Sequence, residues 1–453
     1  MSRPTFKFVD LFSGIGGFHA ALSAMGGECV YAVEIDPAAA AVYQRNWGMS
    51  ALGDITADAN ETTMRVPRHD VLCAGFPCQP FSKSGAQRGM EETRGTLYWN
   101  ILKIIQVRRP AVVLLENVRN LAGPRHQHEW DVIIDTLRLE GYRVSEEPAV
   151  FSPHLLPREL GGRPQVRERV FITATRLPKG RGFLQDADPV ATNRPVGGWD
   201  PKTWNLTDDL PLDADHDVEG CDLTDAERLW IDAWDDFVQR MWEERQGHRL
   251  PGFPLWADYW VMPSSLDYED VAREPKWKAD FIVKNAEFYA AHRVLIDDWT
   301  NRWAVYTDAF PPSRRKLEWQ AQDTPRLWDT VMHFRPSGIR AKRPTYLPAL
   351  VAITQTSIIG SRERRLSPRE AARLQGLPEW FDFGNQRPAS TYRQLGNGVS
   401  VGAVWHVLRS HAERDQDVLK ITRPRLLEAA LDAPESPDEV LERMRPNRGD
   451  AVV

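Results

Sequence analysis

Two side chains that can carry covalent chemistry each follow a hydrophobic segment of the chain. Cys78 comes directly after Pro77 at the end of DVLCAGFPC, and Glu116 ends the aliphatic stretch of AVVLLEN. A thiolate is a good nucleophile once a neighbouring cation lowers its pKa or a base assists it. A carboxylate is costly to bury without a partner, so we expect Glu116 to act in a site or to be hydrogen bonded. Together, the thiol and the carboxylate suit covalent chemistry on an electron-poor ring.

Cys78 also has a simpler interpretation, because a lone cysteine is most often a small buried hydrophobic residue. Its surroundings favour the reactive alternative. The residues that follow, QPFSKSGAQRG (79–89), are polar and include two glycines, which is typical of an exposed loop.

Two arginines in QVRERVF form a second candidate group. Arg167 and Arg169 alternate along a predicted strand and therefore share one face of it. Either this strand lies at a solvated edge of the sheet, or the pair points into the active site beside the carboxylate and the thiolate. The sequence leaves both alternatives open.

A glycine-rich segment near the start predicts a site for a nucleotide-type cofactor. The run from Ser13 to Gly17, SGIGG, links a predicted strand to a predicted helix, which brings backbone N–H groups close to a ligand. Its spacing differs from G-x-G-x-x-G, which argues against a dinucleotide. Glu34 lies at the end of the next predicted strand, about 20 residues after the glycine loop, which is where an acid typically binds ribose hydroxyls. Asp54 follows in GDIT. The loop alone would be compatible with a simple tight turn, whereas the loop with both acids favours cofactor binding.

The elements that must position these residues alternate between strand and helix. This alternation predicts an α/β fold with a parallel, doubly wound sheet. In such a sheet the strand ends that carry Cys78, Glu116 and the glycine loop meet at one edge. Strands are predicted over 6–12, 29–36, 70–76, 111–116 and 169–175, a further strand ending at Asp54, and helices over 18–26, 37–47, 96–109 and 128–141.

A change of composition after residue 176 predicts a second, partly helical domain. This region is rich in Asp and Pro, and twelve of the seventeen tryptophans lie between Trp199 and Trp328. We expect most of these tryptophans to be core residues. An amphipathic helix with N-cap Thr224 is predicted over 223–245.

The α/β pattern returns near the end of the chain. A helix is predicted to begin at Ser367-Pro368, with serine as the cap and proline at the first helical position. The last core helix is predicted over 399–413, and the charged residues after it, 414–453, are predicted to be peripheral.

The charge of the chain is segregated. Averaged over all 453 residues, the net charge of −6 argues against a nucleic-acid partner. Acids outnumber bases about two to one between 200 and 300, whereas 313–320, 335–344 and the stretch around Arg163 are basic. A locally basic cleft on an acidic protein is compatible with DNA.

Cysteine usage and hydropathy indicate the compartment. The four cysteines form no Cys-x-x-Cys pair and no cluster with zinc spacing, so we expect no metal site and a reducing compartment. No apolar run approaches the roughly 20 residues that span a bilayer, and the N-terminus lacks the pattern of a secretory signal. The expected location is the cytoplasm, away from membranes.

Taken in order, these residues resemble the DNA cytosine-5 methyltransferase family. The likeness covers about 1–176 and 345–410, and the segment between them lies where the family has its variable region. Nine motifs in family order make the resemblance specific. They are DLFSGIGG, VEID and GDIT for the cofactor; GFPCQPFSKSG, RGTLYWNI, LLENVRN and QVRER for the reaction centre; and RRLSPREAARLQGLPEWF and YRQLGNGVSV near the end.

The resemblance implies a Rossmann-like sheet that binds S-adenosylmethionine and releases S-adenosylhomocysteine. In the family pattern Glu34 binds the ribose, Asp54 binds the adenine amino group and Asn397 closes the pocket. Gly398 departs from the pattern, because many relatives carry a serine there. The other residues that the resemblance assigns to the cofactor are Phe12, Ser13, Gly14, Gly16, Ile35, Ile55, Pro77 and Leu97.

The resemblance also implies the reaction. The Cys78 thiolate adds to carbon 6 of cytosine while Glu116 holds ring nitrogen 3 and the amino group, and Arg167 and Arg169 complete the catalytic set. Carbon 5 is inaccessible inside a duplex, so the target base must be flipped out. The residues implied to contact DNA are Gln79, Ser82, Ser84 and Arg94, of which Ser84 matches a position that enters the duplex in relatives.

The implied domains are a catalytic part over 1–176, a target-recognition domain over 177–345, a return to the catalytic domain over 346–413 and a tail over 414–453. The implied partner is double-stranded DNA, in a restriction-modification or phage-defence setting, and the protein is expected to be a monomer.

Three alternatives are weighed against this interpretation. A transfer-RNA cytosine methyltransferase would share the fold, but RNA-acting relatives have a smaller variable domain. A silent relative would bind DNA without turnover, which the presence of Cys78, Glu116 and both arginines argues against. A nicotinamide or flavin oxidoreductase fits the glycine spacing and the thiol motif poorly.

Overall fold

The first 176 residues form a mixed β-sheet that supports the predicted site. A computed structural model describes residues 5–77, 96–180, 185–190, 199–213, 218–350 and 356–445. Seven of the first eight strands form one sheet in the order β2-β1-β3-β4-β8-β5, with β6 also paired to β8. The strands are β1 (Phe6–Leu11), β2 (Gly27–Val33), β3 (Val71–Gly75), β4 (Val112–Val118), β5 (Tyr142–Val144), β6 (Ala149–Phe151), β7 (Gln165–Val166) and β8 (Arg169–Arg176).

The sheet is parallel on one side and antiparallel on the other. Strands β2, β1, β3 and β4 are parallel neighbours, as predicted. Strand β8 runs antiparallel to β4 and to β5, so it is inserted between two strands that share one direction. The predicted parallel sheet is confirmed for β2, β1, β3 and β4, and β8 departs from it, because a buried strand has the same hydrophobic pattern in either direction.

Helices cover both faces of this sheet. Alternate residues of β1 and β3 belong to two separate hydrophobic clusters, one on each face. Asp36 caps the second helix with Pro37 at its first position, and Thr96 caps the fourth. The helices are α1 (Gly17–Ala24), α2 (Pro37–Trp47), α3 (Ile55–Asp58), α4 (Leu97–Arg108) and α5 (Gln127–Leu139).

One expected strand is absent from the described residues. GDIT was expected to close a strand, but only an isolated bridge between Glu34 and Leu52 is formed there. Asp54 instead caps α3, with its side chain accepting from the backbone N–H of Thr56. A short polar segment with an aspartate before Ile-Thr favours this cap over an extended strand.

The second domain has its own core, built around buried tryptophans. Trp234 and Trp299 are fully buried, with ring centroids 4.9 Å apart. The helices are α6 (Leu206–Asp209), α7 (Asp225–Glu244), α8 (Tyr268–Arg273), α9 (Lys276–Ala291) and α10 (Arg293–Arg302). The strands are β9 (Leu255–Trp256), β10 (Lys316–Gln320), β11 (Val331–Arg335), β12 (Gly338–Lys342), β13 (Leu347–Pro348), β14 (Ile358–Ile359) and β15 (Arg364–Arg365).

Six of the seven strands from β9 to β15 form one sheet in the order β15-β14-β11-β12-β10-β9, whereas β13 pairs with β7. Its buried cluster runs from Leu223 to Ile358, whereas Leu206 and Leu210 pack in the core of the first sheet. Of the twelve tryptophans between Trp199 and Trp328, six are buried and Trp277 is 60% exposed.

The remaining helices return to the first sheet. Strand β13 pairs in parallel with β7, which ties the returning chain to the segment before Arg167. Ser367 caps the first of these helices, as predicted. The helices are α11 (Pro368–Leu374), α12 (Pro388–Asn397), α13 (Val401–Arg414), α14 (Gln416–Thr422), α15 (Pro424–Leu431) and α16 (Asp438–Arg443).

Residues after 414 differ from the expectation of a peripheral tail. Leu419, Leu426 and Leu441 are buried in the same cluster as α1 and α13. Arg423 pairs with Asp70 at 2.7 Å, which joins the end of the chain to the start of β3. The high charge of this segment led to the prediction of a peripheral tail, although its leucines face the core. No helix of the described residues is long and apolar enough to cross a membrane.

Candidate active site

A cavity of about 740 Å³ lies where the parallel strands end. Phe12 follows β1, Glu34 follows β2, Phe76 and Pro77 follow β3, and Glu116 lies near the end of β4. The prediction that these segments meet at one edge is confirmed. The cavity is lined by Phe12, Gly14, Val33, Glu34, Ile35, Asp36, Ala39, Gly53, Asp54, Ile55, Gly75, Phe76, Pro77, Leu97, Glu116, Asn117, Val118, Arg169, Ala349, Leu350, Arg393, Gln394, Gly396 and Asn397.

The glycine loop forms one wall of this cavity. Its backbone has positive φ at Phe12 (56°), Gly14 (53°) and Gly16 (94°). A Cβ at Gly16 would lie 2.1 Å from Trp47 Nε1, whereas a Cβ at Gly14 would meet no protein atom within 4 Å. Gly14 therefore leaves open space in the cavity, and Gly16 permits the close packing that shapes the loop.

Two residues that the resemblance assigns to the cofactor do not line the cavity. Gly16 lies behind the loop, against Trp47. Ser13 is buried, and its Oγ has no hydrogen-bond partner among the residues that the structure describes. The backbone N–H of Ser13 donates to Val33 O at 3.0 Å, so Ser13 joins the loop to β2.

The Glu34 carboxylate is fixed by the backbone on both sides. Gly14 N–H donates to Oε2 at 2.9 Å and Asp36 N–H donates to Oε1 at 2.8 Å. Each oxygen retains an acceptor position, because a carboxylate can accept about four hydrogen bonds. Glu34 is thus oriented before any ligand arrives, with acceptors available for a pair of hydroxyl groups.

Asp54 and three apolar side chains form another part of the wall. Asp54 Oδ1 accepts from the Thr56 backbone N–H at 2.9 Å and from its hydroxyl at 2.8 Å, and among the described residues Oδ2 has no hydrogen-bond partner. Ile35, Ile55 and Leu97 lie around it, and Ile35 is 70% exposed. An open carboxylate oxygen beside exposed apolar surface suits a flat ring that carries an amino group.

Glu116 and Arg169 form an ion pair inside the cavity. Arg169 Nε lies 3.0 Å from Glu116 Oε1, and both side chains are largely buried. Burial raises the pKa of Glu116, and the charges of Arg169 and Arg167 oppose this rise. The pair therefore holds a carboxyl group that takes up a proton more readily than an exposed glutamate with the same neighbours.

Arg167 has a different position from the one that the alternating pattern predicted. Strand β7 ends at Val166 and β8 begins at Arg169, so the two arginines do not share one strand. Arg167 is 1% exposed and donates to the carbonyls of Leu350 (3.2 Å), Gly396 (2.8 Å) and Gly398 (2.5 Å). Burial lowers the pKa of Arg167 to about 9, which still leaves it charged at neutral pH.

These contacts make Arg167 a positioning residue. Gly396 and Gly398 flank Asn397, which lines the cavity, and Leu350 lines it as well. Arg167 therefore holds the segment that carries Asn397 without lining the cavity itself.

Sequence reasoning missed other residues that line the cavity. Asn117 Nδ2 donates to Phe76 O at 2.8 Å, which fixes the backbone just before Pro77. Arg393 Nη2 donates to Asp36 Oδ2 at 2.9 Å and so joins α12 to the start of α2 beside the cavity. Asn117 stands beside Glu116 in the LLENVRN motif, which was a usable signal, whereas no local pattern links Arg393 to Asp36.

Several predicted site residues lie outside the described residues. They belong to the segment 78–95, which follows Pro77 directly. They are Cys78, Gln79, Ser82, Ser84 and Arg94. Since Pro77 lines the cavity, Cys78 is covalently attached to one of its lining residues.

Comparison with protein families identifies the family to which the chain belongs. The profile described as C-5 cytosine-specific DNA methylase matches residues 6–413, which include the cavity and the second domain. The chain belongs to the C-5 cytosine-specific DNA methylase family. The resemblance inferred from the nine motifs is thereby confirmed, and the methylase is a DNA cytosine-5 methyltransferase.

Two of the related proteins resemble the methylase over most of its length, and a third resembles part of it. Type II methyltransferase M.AluI of Cellulosimicrobium cellulans is 54% identical, covering 92% of this chain and 94% of that protein. M.DsaV of Dactylococcopsis salina is 32% identical over 93% and 89% of the two chains. M.HhaI of Haemophilus parahaemolyticus is 43% identical over only 38% of this chain and 49% of its own.

Among solved structures, the S. pombe Dnmt2 methyltransferase aligns with the methylase at a TM-score of 0.48 and 18% identity, covering 92% of this chain and 99% of that one.

Proposed function

We propose that the methylase transfers a methyl group from S-adenosylmethionine to carbon 5 of cytosine in a specific duplex sequence, through a covalent bond between Cys78 and the base. One observation carries this proposal. The fixed Glu34 carboxylate and the buried Glu116–Arg169 pair line the same cavity, and Pro77, which precedes Cys78, lines it too. This arrangement supports a cofactor site and a site for a polarised ring within one space.

The residues of the cavity fit S-adenosylmethionine. Glu34 offers two oriented acceptors to ribose hydroxyls, and Asp54 Oδ2 is free to accept from the adenine amino group. Gly14 leaves open space where a side chain would intrude, and Asn397 lies on the segment that Arg167 holds. When bound, S-adenosylmethionine supplies the methyl group that carbon 5 of cytosine takes up, and S-adenosylhomocysteine is released.

The chain's own residues prepare cytosine for that transfer. The Cys78 thiolate forms a bond to carbon 6, and the displaced electron pair moves toward ring nitrogen 3. Glu116 holds nitrogen 3 and the amino group, and its raised pKa allows it to share a proton with nitrogen 3 as charge develops there. Arg169 keeps the carboxyl oriented through Nε.

The covalent bond is then reversed. Once carbon 5 carries the methyl group, a base removes its proton; we assign this role to water. The electron pair of that carbon–hydrogen bond re-forms the ring double bond, the carbon 6–sulfur bond breaks, and Cys78 leaves as the thiolate. The proton on nitrogen 3 returns to Glu116, so the enzyme regains its starting state.

We further propose that residues 177–345 recognise the target sequence and that Gln79, Ser82, Ser84 and Arg94 contact the opened duplex. The target cytosine must leave the stack to reach the cavity. Relatives such as M.AluI are Type II methyltransferases, which supports a restriction-modification setting with a partner nuclease.

Bisulfite sequencing of plasmid from cells that express the wild type tests this function. We expect methylcytosine at carbon 5 in one short sequence context. If methylation is found only in cellular RNA, measured by the same chemistry, the substrate is RNA and not DNA. Absence of methylation from both would contradict the proposal.

Glu34→Ala is expected to weaken S-adenosylmethionine binding by about 1–3 kcal/mol, because two charge-assisted hydrogen bonds to the ribose are lost. Isothermal titration calorimetry measures this change. Glu28→Ala, an exposed acid in β2, is the matched control and should leave the affinity unchanged. Equal affinity for wild type and Glu34→Ala would refute the ribose assignment.

Arg167→Met is expected to lower the free energy of unfolding by about 3 kcal/mol, because three buried carbonyls lose a charged donor. It should also weaken cofactor binding, since the segment around Asn397 loses its anchor. Urea unfolding and calorimetry measure the two effects. Arg169→Met should instead reduce methyl transfer while cofactor affinity is kept, and the reverse pattern would overturn the division of roles.

A further inference from the structure

A basic face on the second domain has no role in the chemistry described so far. Strands β10, β11 and β12 alternate between buried and partly exposed residues. The buried set, which includes Leu317, Phe334 and Ile339, belongs to the core that α7 also joins. The exception is Val331, which packs in the core of the first sheet. The outward set lies on the opposite side of the sheet from that helix and consists of Lys316, Glu318, Gln320, His333, Arg335, Arg340 and Lys342.

The positive charge of this face is not balanced by the protein. Glu318 is the only acid among these outward residues, and it pairs with Arg340 at 2.7 Å. Within the described residues, the Arg335 guanidinium has no ion-pair partner, and Lys342 Nζ lies 5.2 Å from the centre of the Tyr346 ring. Burial lowers the pKa of Lys342, and the charges of Arg340 and Arg335 lower it further. The chain has a net charge of −6, yet positively charged side chains that repel one another are concentrated on this face. Such a face favours binding of an anionic partner.

This face is connected to the methylation cavity by a short path. Tyr346, which contacts Lys342, packs against His154 with ring centroids 5.2 Å apart. The chain then forms β13, which pairs with β7, and continues into Ala349 and Leu350 at the cavity wall. A duplex bound at the basic face would therefore also reach toward the cavity, while the acidic helix α7 stays on the far side of the sheet.

We propose that the outward face of β10–β12 contacts the DNA duplex, with Arg340 reading a guanine and Arg335 and Lys342 binding phosphates. This inference rests on the proposed function and assigns its specificity to named residues. DNA is favoured over an acidic protein because guanidinium groups on a polar sheet face match both base edges and phosphates.

Arg340 is built for base recognition. Its Nε donates to Glu318 Oε2, and Gln320 Nε2 donates to Glu318 Oε1 at 2.5 Å, so the carboxylate is held from two sides. The two terminal nitrogens of Arg340 have no hydrogen-bond partner among the described residues. A guanidinium held at Nε presents its remaining donors in a fixed direction, which suits the paired acceptors O6 and N7 of guanine.

Arg335 and Lys342 are suited to the phosphate backbone instead. Neither side chain is held by a carboxylate, and both are long enough to follow a phosphate. Contacts of this kind add affinity without sequence information, and they make binding depend on salt concentration.

The first experiment measures base specificity. Wild type, Arg340→Lys and Arg340→Gln are given a library of duplexes with random bases and S-adenosylmethionine, and the products are read by bisulfite sequencing. For both variants we expect methylation of the wild-type context to fall by about 10- to 100-fold in kcat/KM, with relaxed preference at one guanine position. Arg340→Lys keeps the charge, so its loss of preference separates base reading from simple attraction.

The second experiment measures phosphate contacts. Binding of a duplex with the wild-type context is titrated between low and moderate salt for Arg335→Gln and Lys342→Gln. Each variant should lower the slope of log affinity against log salt by about 1, without changing base preference. Arg240→Gln, on α7 and paired with Asp298, is the matched control and should leave the slope unchanged.

The outcomes separate this inference from the proposed function. Suppose that wild type methylates its context, that both Arg340 variants match it in base preference, and that Arg335→Gln and Lys342→Gln match it in salt slope. The basic face then does not bind DNA and the inference is overturned. Failure of the wild type to methylate any DNA would instead contradict the proposed function. Thermal unfolding and S-adenosylmethionine titration of each variant verify that a loss does not come from misfolding.

Discussion

Cys78→Ser is expected to reduce methyl transfer by at least about 10⁴-fold, to below detection in most assays. A serine hydroxyl is scarcely ionised at neutral pH, so the bond to carbon 6 does not form. Affinity for S-adenosylmethionine should be unchanged, because Glu34 and Asp54 are positioned by other segments. Rates are measured with tritiated cofactor and plasmid DNA, and affinity by calorimetry.

Cys29→Ser provides the control for this substitution. Burial raises the pKa of Cys29 to about 12, so it is a neutral thiol at the pH of the assay. We expect its rate to stay within a few fold of the wild type. Normal turnover by Cys78→Ser would remove the nucleophile assignment altogether.

The covalent bond itself can be observed. Fluorine in place of the carbon 5 hydrogen of the target cytosine cannot be removed by a proton acceptor. After methyl transfer the carbon 6–sulfur bond therefore cannot break, and Cys78 stays attached to the cytosine. Mass spectrometry of a denatured mixture with such a duplex should find one protein–DNA adduct per wild-type chain and none for Cys78→Ser.

Glu116→Gln is expected to lower kcat by about 10²–10⁴-fold, the usual contribution of a positioned proton donor. The amide still donates a hydrogen bond, but it cannot pass a proton to ring nitrogen 3. Single-turnover rates with saturating DNA measure the effect on chemistry alone. Glu129→Gln, a buried acid in α5 away from the cavity, serves as the control. A rate for Glu116→Gln near that of the wild type would rule out proton transfer by this residue.

The raised pKa of Glu116 also predicts a pH dependence of stability. A group whose pKa is higher in the folded state stabilises the fold below its unfolded pKa, and this contribution is lost as pH rises through the folded pKa. The wild type should therefore lose stability relative to Glu116→Gln as pH increases through the titration of Glu116. Urea unfolding of both proteins across this range measures the difference, and parallel curves would contradict the shift.

The sequence determined the reaction centre to a large extent. Several local signals do not depend on how distant parts of the chain are arranged. They are the strand patterns, the helix caps at Asp36 and Thr96, and the motifs at strand ends. Because parallel strands place their carboxyl ends at one edge, these signals were enough to bring Glu34, Pro77 and Glu116 into one cavity.

Tertiary structure decided the features that depend on distant partners. Strand β8 has the pattern of any buried strand, and only its pairing with β4 and β5 shows that it runs antiparallel. The tail after 414 looked peripheral because its charges outnumber its leucines, yet those leucines meet a hydrophobic face formed by α1 and α13.

The same reason explains the outcome for the two arginines. In sequence they look equivalent, two residues apart in QVRER. The break between β7 and β8 turns Arg167 toward the carbonyls of Leu350, Gly396 and Gly398, far away along the chain, and leaves Arg169 against Glu116. The sequence shows which side chains are charged, and its local periodicity predicts where strands run. The partner that hydrogen bonds or pairs with a buried charge is fixed only when the chain has folded.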